Sequence, residues 1–356
     1  MPIIPVEIQG GGVAAACCAY RLAAPQYDVR IQRVERPRLP AILLSGAALA
    51  LLRDVFDKPD LLRDAPRIRR RVVAWCPDRP PIELPHSAVV VSEESLLAGL
   101  RRETTFTETQ EAPCWTVFAG SHTPESARVR RFGTCVATAT SVRLKQGALA
   151  ETCWMEALPS GWLFLVTTAP DAGWLLSVGG SADEQLGCSR VIVNQISATG
   201  AKDREFPCSP KIVWPLAGSG WLACGTAAMA FDPICGDGTA HAVREAILAA
   251  AVIDAAFRGA DVGELIVHYR SRLIAGFARH LHACREFYRN GFGGPWWTAE
   301  IEALEEGLAW CAEQTIPVFR YCLQDFRLET LERGSRPLSP SSALPDHTPR
   351  TIYQRG

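Results

Sequence analysis

Apolar and polar positions along this chain change period several times, and each change marks an expected element. Residues 3–9 (IIPVEIQ) are a short apolar run expected as a first strand. Ala14 to Ala24 is a run of small residues with helical spacing that ends near Pro25. VRIQRVE (29–35) alternates as a second strand, which completes a β-turn-α-β unit. LLSGAALALLRDVF (43–56) has the spacing of a second helix. RRVVAWC (70–76) and the stretch up to HSAVVV (86–91) predict strands. SEESLLAGLRR (92–102) predicts a helix with Ser92 as N-cap and Ser95 in its first turn, and CWTVFAG (114–120) returns to strand.

From about 127 to 215, short alternating runs are separated by Gly and Pro: RVRRFG, CVATATSVRLKQG, TCWMEALPSGWLFLVTT, GWLLSVGG, RVIVNQIS and KIVWPLAG. Their two-residue period predicts a β-rich layer. Beyond Thr239 the period becomes helical over 239–258, 262–289 and 297–313. Residues 333–356, rich in Pro, Ser and Arg, are expected to be disordered.

Composition narrows the function classes. The 356 residues carry 37 Lys+Arg against 38 Asp+Glu, so no bulk attraction to nucleic acid or an acidic membrane is expected. The densest basic run, RIRRR (67–71), reads as a solvated strand face. Thirteen scattered cysteines without a CxxC pair point to buried free thiols and a reducing cytoplasm. MPIIPVEIQGGG has no basic n-region, so no signal peptide is expected. AILAAAVIDAAF (246–257) comes nearest to a membrane span, but Arg244 and Glu245 flank it and Asp254 interrupts it, so a buried helix is expected.

Two glycine loops carry the candidate chemistry. Gly10-Gly11-Gly12-Val13-Ala14-Ala15 fits G-x-G-x-x-[GA] between a strand and a helix. The first glycine permits the turn, the second lets backbone approach a pyrophosphate, and the small sixth position lets the helix sit on the strand. Amides at the helix N-terminus then face the phosphate charge. An acidic residue at the end of the second strand would hold a ribose. That place falls on Arg33, with Glu35 two residues on. The second loop is FDPICGDGTAHAVREAILAA (231–250), where Asp-Pro-x-x-Gly-x-Gly precedes a long helix of small residues. Asp237, between two glycines, is placed either to cap the following helix or to face a cofactor.

With its late D-P-x-x-G-x-G segment, the chain resembles the FAD-binding flavoprotein monooxygenase superfamily, of p-hydroxybenzoate-hydroxylase-like fold. The resemblance implies an α/β (α+β) fold in which a Rossmann-like FAD-binding domain is interleaved with a β-rich substrate layer and followed by a C-terminal helical region. The expected boundaries are 1–75, 92–150 and 216–260 for the FAD domain, 76–91 and 151–215 for the substrate layer, and 261–332 for the helices. It also implies that the early glycines take the ADP half of FAD and that the late loop, through Asp232, Gly236, Asp237, Gly238 and Thr239, takes the ribityl chain and ring, with main-chain amides around Cys235–Gly238 close to the flavin. The usual G-D-A-A before D-P is Cys224-Gly225-Thr226-Ala227-Ala228 here, so Thr226 stands in place of an acid. The implied activity is monooxygenase-type oxidation of an electron-rich aromatic group through a flavin C4a-hydroperoxide. Electrons would come from NAD(P)H directly or through a separate reductase, since no second G-x-G-x-x-G unit is present.

Within that superfamily GWLFLVT (161–167) resembles the W-x-W-x-I-P stretch of tryptophan halogenases, and also reads as a plain strand with Trp162, Phe164 and Val166 on one face. The lysine such halogenases use would fall near 70–80, where RRVVAWCPDR has none. The four lysines are Lys58, Lys145, Lys202 and Lys211. The texture of residues 150–300 is similar to halogenase-like flavoproteins that help convert a partner's tryptophan into tryptophylquinone. This implies a protein-bound or small aromatic substrate and a partner protein. Alternatives are a halogenase, a geranylgeranyl-reductase-like flavoenzyme, and a non-catalytic scaffold. No catalytic residue stands out. His241 is placed near the expected flavin, and Cys235 reads as a small buried hydrophobe. His280 and Cys284 share a helix face while His282 points away, so no metal site is expected.

Overall fold

The first apolar run forms β1 (Ile4–Gln9), which turns through three glycines into α1 (Val13–Arg21). β2 (Tyr27–Gln32) then lies parallel to β1, with Ile4 opposite Tyr27 and Gln9 opposite Gln32. This computed structural model describes residues 3–34, 36–101, 112–314 and 320–331, with the backbone alone at 201–204. The expected tail (333–356) and Glu35 lie outside the described residues.

The chain continues through β3 (Ile42–Ser45), α2 (Gly46–Val55), β4 (Arg67–Ala74), β5 (Ile82–Val91) and α3 (Glu93–Leu100). Next come β6 (Trp115–Phe118), β7 (Arg128–Arg131), β8 (Val136–Leu144), β9 (Thr152–Leu158), β10 (Gly161–Ala169) and β11 (Ala172–Val178). Then follow α4 (Ala182–Cys188), β12 (Ile196–Pro207), β13 (Lys211–Trp214), β14 (Ala217–Gly218), β15 (Trp221–Ala223) and β16 (Met229–Ala230). Three helices, α5 (Gly238–Phe257), α6 (Val262–Arg289) and α7 (Pro295–Gln314), lead to the hairpin of β17 (Tyr321–Gln324) and β18 (Arg327–Thr330).

Two large sheets organise these elements. The first has the order β14-β15-β6-β1-β2, with β15, β6, β1 and β2 parallel. Val6, Ile8, Val117 and Leu222 stand in register on one face of it and are all buried. The second has eight strands in the order β12-β8-β11-β10-β9-β4-β5-β3. It is antiparallel except where β4 runs parallel to β9, with Arg70 opposite Thr152. A small third sheet, β16-β13-β7, lies beside them.

The α/β (α+β) class and the three long C-terminal helices match the expected pattern. Details differ. Residues 43–45, expected as the start of a helix, belong with Ile42 to a strand paired with β5. An apolar run such as ILLS satisfies either period, and Ser45 begins the helix only after it, its hydroxyl accepting from the Ala48 amide at 3.2 Å. Strands at 42–45, 67–74 and 136–144, grouped by sequence with the cofactor half, pair in the eight-stranded sheet. Residues 182–188, given no helix above, form α4 behind a Ser181–Glu184 capping box. RVIVNQIS opens as a tight turn before joining β12, because the buried Glu156 carboxylate accepts the amides of Arg190, Val191 and Ile192. In the basic run, Arg67 and Arg69 are exposed on β4 while Ile68 is buried between them. Among the described residues, no helix is long and apolar enough to cross a membrane.

Candidate functional site

The carboxyl ends of the parallel strands converge on one edge. The Ala119 amide donates to Gln9 O at 2.8 Å, and the Cys224 amide donates to Phe118 O at 2.8 Å. The turns that follow β1, β6 and β15 therefore meet, which is where open parallel sheets bind ligands. A Cβ on Gly10 would fall 2.8 Å from the Ala119 carbonyl carbon, so this close approach of two turns requires glycine. Thr226 is exposed on the same edge, and its hydroxyl donates to Gly120 O at 3.2 Å.

Two helices start at this edge side by side. Gly225 (φ +57°) sits against both: a Cβ there would be 2.8 Å from the Ala14 Cβ and 4.0 Å from the Ala242 Cβ. The Cys17 thiol faces Val243 O at 3.8 Å, and the Cys18 thiol faces Ala246 O at 3.4 Å. The paired positions rise together, 14 with 242 and 18 with 246, so α1 and α5 run parallel. Small residues make this approach possible: Ala14, Ala15, Ala246, Ala249 and Ala250 are all buried. Neither helix has a side-chain N-cap at Gly12 or Asp237. Two sets of terminal amides, with the positive ends of two dipoles, thus open on one edge.

The first set is framed by cations. Arg38 donates to Gly11 O at 2.9 Å, and the Arg36 guanidinium lies 3.4 Å from where a Gly12 Cβ would stand. Both arginines turn about buried Glu93, which accepts from Arg36 Nη1 at 2.9 Å and from the Leu39 amide at 3.0 Å. Sequence reasoning missed all three, because Glu93 lies 57 residues from Arg36 and no local motif links them. Val13, Ala14 and Ala15 are buried and form the helix seat. Arg33 is exposed just past the end of β2.

The second set follows the 232–238 loop. Asp232 is buried and acts as its anchor. Its amide donates to His280 Nε2 at 2.9 Å, its Oδ1 accepts from the Ile234 amide at 2.9 Å, and its Oδ2 accepts from the Tyr288 hydroxyl at 2.5 Å. Burial raises its pKa to about 6, against the lowering pull of Tyr288 and the Ile234 amide. Gly236 takes φ +64°, and a Cβ on Gly236 or Gly238 would meet nothing within 4 Å, so backbone faces open space there. Asp237 stands at the N-cap position of α5 but pairs with Arg244 at 2.9 Å instead of capping. Thr239 is half-buried in the first turn.

His241 stacks on Phe231 with centroids 4.2 Å apart, and burial lowers its pKa to about 4, so it is neutral near pH 7. Cys235 is half-buried rather than fully buried and lies 3.7 Å from the Cys284 sulfur. With His280 the two thiols form a cluster whose ligand-type atoms all lie within 4.8 Å of one another. His280 Nε2 already accepts the Asp232 amide, which occupies the lone pair a metal would need.

Behind the loop, Tyr288 continues into an aromatic cluster. It packs on Trp296 and Trp297, and Trp297 on Trp75, with centroids 5.4–5.8 Å apart. Trp75 in turn lies 6.4 Å from Trp162. Trp162 and Phe164 share one face of β10, while Leu163 and Leu165 serve a separate core on the other. One more buried acid, Glu245, reaches from α5 to accept the Gly225 amide at 2.7 Å.

No protein-family model matches the chain, and no curated protein sequence does. Solved structures match over most of its length. A peptidyl tryptophan dihydroxylase, QhpG, essential for tryptophylquinone cofactor biogenesis, is 18% identical, with a TM-score of 0.68 over 92% of this chain and 86% of that one. CmlS, a flavin-dependent halogenase, is 16% identical, with a TM-score of 0.69 over 87% and 70%. The myxobacterial chondrochloren halogenase CndH, described as a new variant of FAD-dependent halogenases, is 15% identical, with a TM-score of 0.66 over 89% and 91%. At these identities the likeness shows the fold, and it is the flavoprotein-monooxygenase-like fold expected from the paired glycine loops.

Proposed function

We propose that the chain is a FAD-dependent oxidoreductase of monooxygenase type, acting on an electron-rich aromatic group carried by a partner protein. The observation that carries this is the pair of parallel helices, α1 and α5, opening uncapped N-termini on one sheet edge. One helix N-terminus suits one phosphate group. Two adjacent ones, the second preceded by a glycine loop facing open space, suit a long dinucleotide. The fit is local: the turn at Gly10–Gly12 leaves backbone bare beside Arg36 and Arg38, and Gly236 and Gly238 leave it bare at the far end.

Gly10, Gly11, Gly12 and the amides of Val13, Ala14 and Ala15 would hold the pyrophosphate, with Arg36 and Arg38 balancing its charge. Arg33, exposed just past β2, would meet the adenosine end. Gly236, Asp237, Gly238 and Thr239 would meet the ribityl chain and ring through backbone. Asp232 holds the loop in shape from behind. Thr226 offers an uncharged hydroxyl where an acid would be expected. When bound, FAD supplies two-electron redox and oxygen-transfer chemistry. The protein's share is to fix the loop on α6 through His280 and Tyr288. His241, neutral and stacked, adds no positive charge there.

A protein-borne indole is favoured as substrate by the likeness to the peptidyl tryptophan dihydroxylase, which spans nearly all of both chains. Halogenation is disfavoured. Residues 70–80 contain no lysine, and Lys58 is held by the carbonyls of Gly99 and Arg101 at 2.7 and 3.1 Å. The deciding experiment begins with the absorbance of the purified protein before and after added FAD. A flavin spectrum with releasable FAD is expected. Photoreduction in the presence of oxygen and a tryptophan-bearing protein partner is then expected to add oxygen atoms to the indole, read by mass spectrometry. Halogen in place of hydrogen would move the assignment to a halogenase. A protein that stays colourless at high FAD would leave the fold as a scaffold.

A further inference from the structure

Three pairs of thiols meet among the described residues. Cys18 and Cys224 lie 3.9 Å apart, and both are fully buried. Cys135 and Cys208 share a hydrogen bond, and both are buried. Cys235 and Cys284 lie 3.7 Å apart, and here one member, Cys235, reaches solvent. This pair alone of the three combines contact with access for a small oxidant. It also joins two elements of different character. Cys235 ends the short turn Pro233–Cys235 and is followed by Gly236, which is exposed and crowded by nothing. Cys284 sits on the long helix α6. The sulfurs must close from 3.7 Å to about 2 Å, a side-chain movement the glycine-flanked loop can follow.

We propose that Cys235 and Cys284 are a modification site: hydrogen peroxide converts them into a reversible disulfide that fastens the end of the 232–238 loop to α6. The loop's start is already held on α6 by His280 and Tyr288, at 2.9 and 2.5 Å from Asp232. The disulfide adds a covalent tie three residues on. The solvent-reaching Cys235 thiol reacts first, giving a sulfenic acid and one water. The Cys284 sulfur then attacks the Cys235 sulfur, the S–S bond forms, and hydroxide leaves as a second water. In sum, two thiols and one peroxide give one disulfide and two waters.

His280 takes no proton in this step, because its Nε2 lone pair is held by the Asp232 amide. The Cys284 proton passes to the leaving oxygen as sulfur attacks. Until then burial holds Cys284 as a thiol, pushed well above the ordinary value. The importance of the tie for flavin rests on the function proposed above; the cross-link itself does not.

The test uses full-length protein, reduced and then treated with one equivalent of hydrogen peroxide, with and without FAD. Thiols are alkylated and peptides mapped without reduction. The expected result is a linked pair of peptides containing Cys235 and Cys284 in most molecules, lost on adding dithiothreitol. Cys18, Cys135, Cys208 and Cys224 should become alkylated only after denaturation. In Cys284→Ser, Cys235 is expected as a sulfenic acid trapped by dimedone. In Cys235→Ser, Cys284 is expected to remain a thiol. Oxidation of Cys235 to sulfinic acid with no cross-link would overturn the proposal. So would a stoichiometric metal in the purified protein that is lost in Cys284→Ser, since metal-bound thiolates would then explain the cluster. Failure of FAD to bind would remove the functional reading and leave the cross-link result standing.

Discussion

At the scale of single residues, the fold decides the charge of two buried acids. Burial raises Glu245 from 4.5 to about 8, with the Gly225 amide opposing, and raises Asp232 from 3.8 to about 6. In each window the folded chain holds a proton that the unfolded chain has released. Stability therefore falls as pH rises, through roughly 4 to 6 for Asp232 and 4.5 to 8 for Glu245. Glu245→Gln keeps an acceptor for Gly225 and removes the ionisation. It is expected to flatten the urea-unfolding free energy between about pH 5 and pH 8, and to stabilise the protein at the upper end by about 1–3 kcal/mol. An unchanged slope would show that Glu245 is charged in the native state. The glycines differ among themselves in the same local way. Gly10→Ala places a Cβ 2.8 Å from backbone and is expected to cost about 2–4 kcal/mol, whereas the nearest atoms to a Cβ on Gly11 are 3.7 Å away and Gly11→Ala is expected to cost under about 0.5 kcal/mol. Equal melting temperatures for the two variants would contradict the close approach of the β1 and β6 turns. The G-x-G-x-x-A spacing was legible because its physics is local. Arg36, Arg38 and Glu93 were not, because the carboxylate that organises them arrives from a different helix.

At the scale of elements, legibility follows the range of the interaction. The α3 cap could be read because Ser92 and its partner are three residues apart: the hydroxyl accepts the Ser95 amide at 3.1 Å. Ser92→Ala is expected to destabilise by about 1 kcal/mol in thermal unfolding, with α3 rather than the parallel sheet losing amide-exchange protection first. Loss of protection across the whole molecule would mean that α3 is not a separable unit. The same kind of signal, Ser181 followed by Glu184, marks α4, yet alternating neighbours on both sides hid it. The opposite error occurred at 43–45, where the apolar residues before the Ser45 cap took the period of the helix behind them. The Cys235–Cys284 contact shows where sequence stops. Helical spacing puts His280 and Cys284 on one face, but only tertiary packing brings a loop 49 residues away onto that face.

At the scale of the molecule, what sequence could not show is the order of the eight-stranded sheet. Its join is β4 beside β9, a parallel pairing between residues about eighty apart that no local pattern encodes. The nearly balanced charge makes the proposed anion site a matter of local placement, not of overall field. That allows the site to be tested without disturbing the fold. Gly11→Asp puts a carboxylate beside bare backbone with only Arg38 and the Val34 carbonyl near, at 3.7 Å, so the apoprotein is expected to melt within a degree or two of wild type. FAD at a hundredfold excess over its dissociation constant would stabilise wild type by about 2.7 kcal/mol, a rise of a few degrees in a chain of this size. In Gly11→Asp the new charge occupies the space proposed for the pyrophosphate and repels it, so this rise is expected to vanish. Three outcomes separate the readings. A rise in wild type that the variant loses places the pyrophosphate at the first glycine loop. A rise that the variant keeps means FAD binds elsewhere on the chain. No rise in either protein, with the spectrum still colourless, means the two helix N-termini keep the geometry of a flavin site without its ligand.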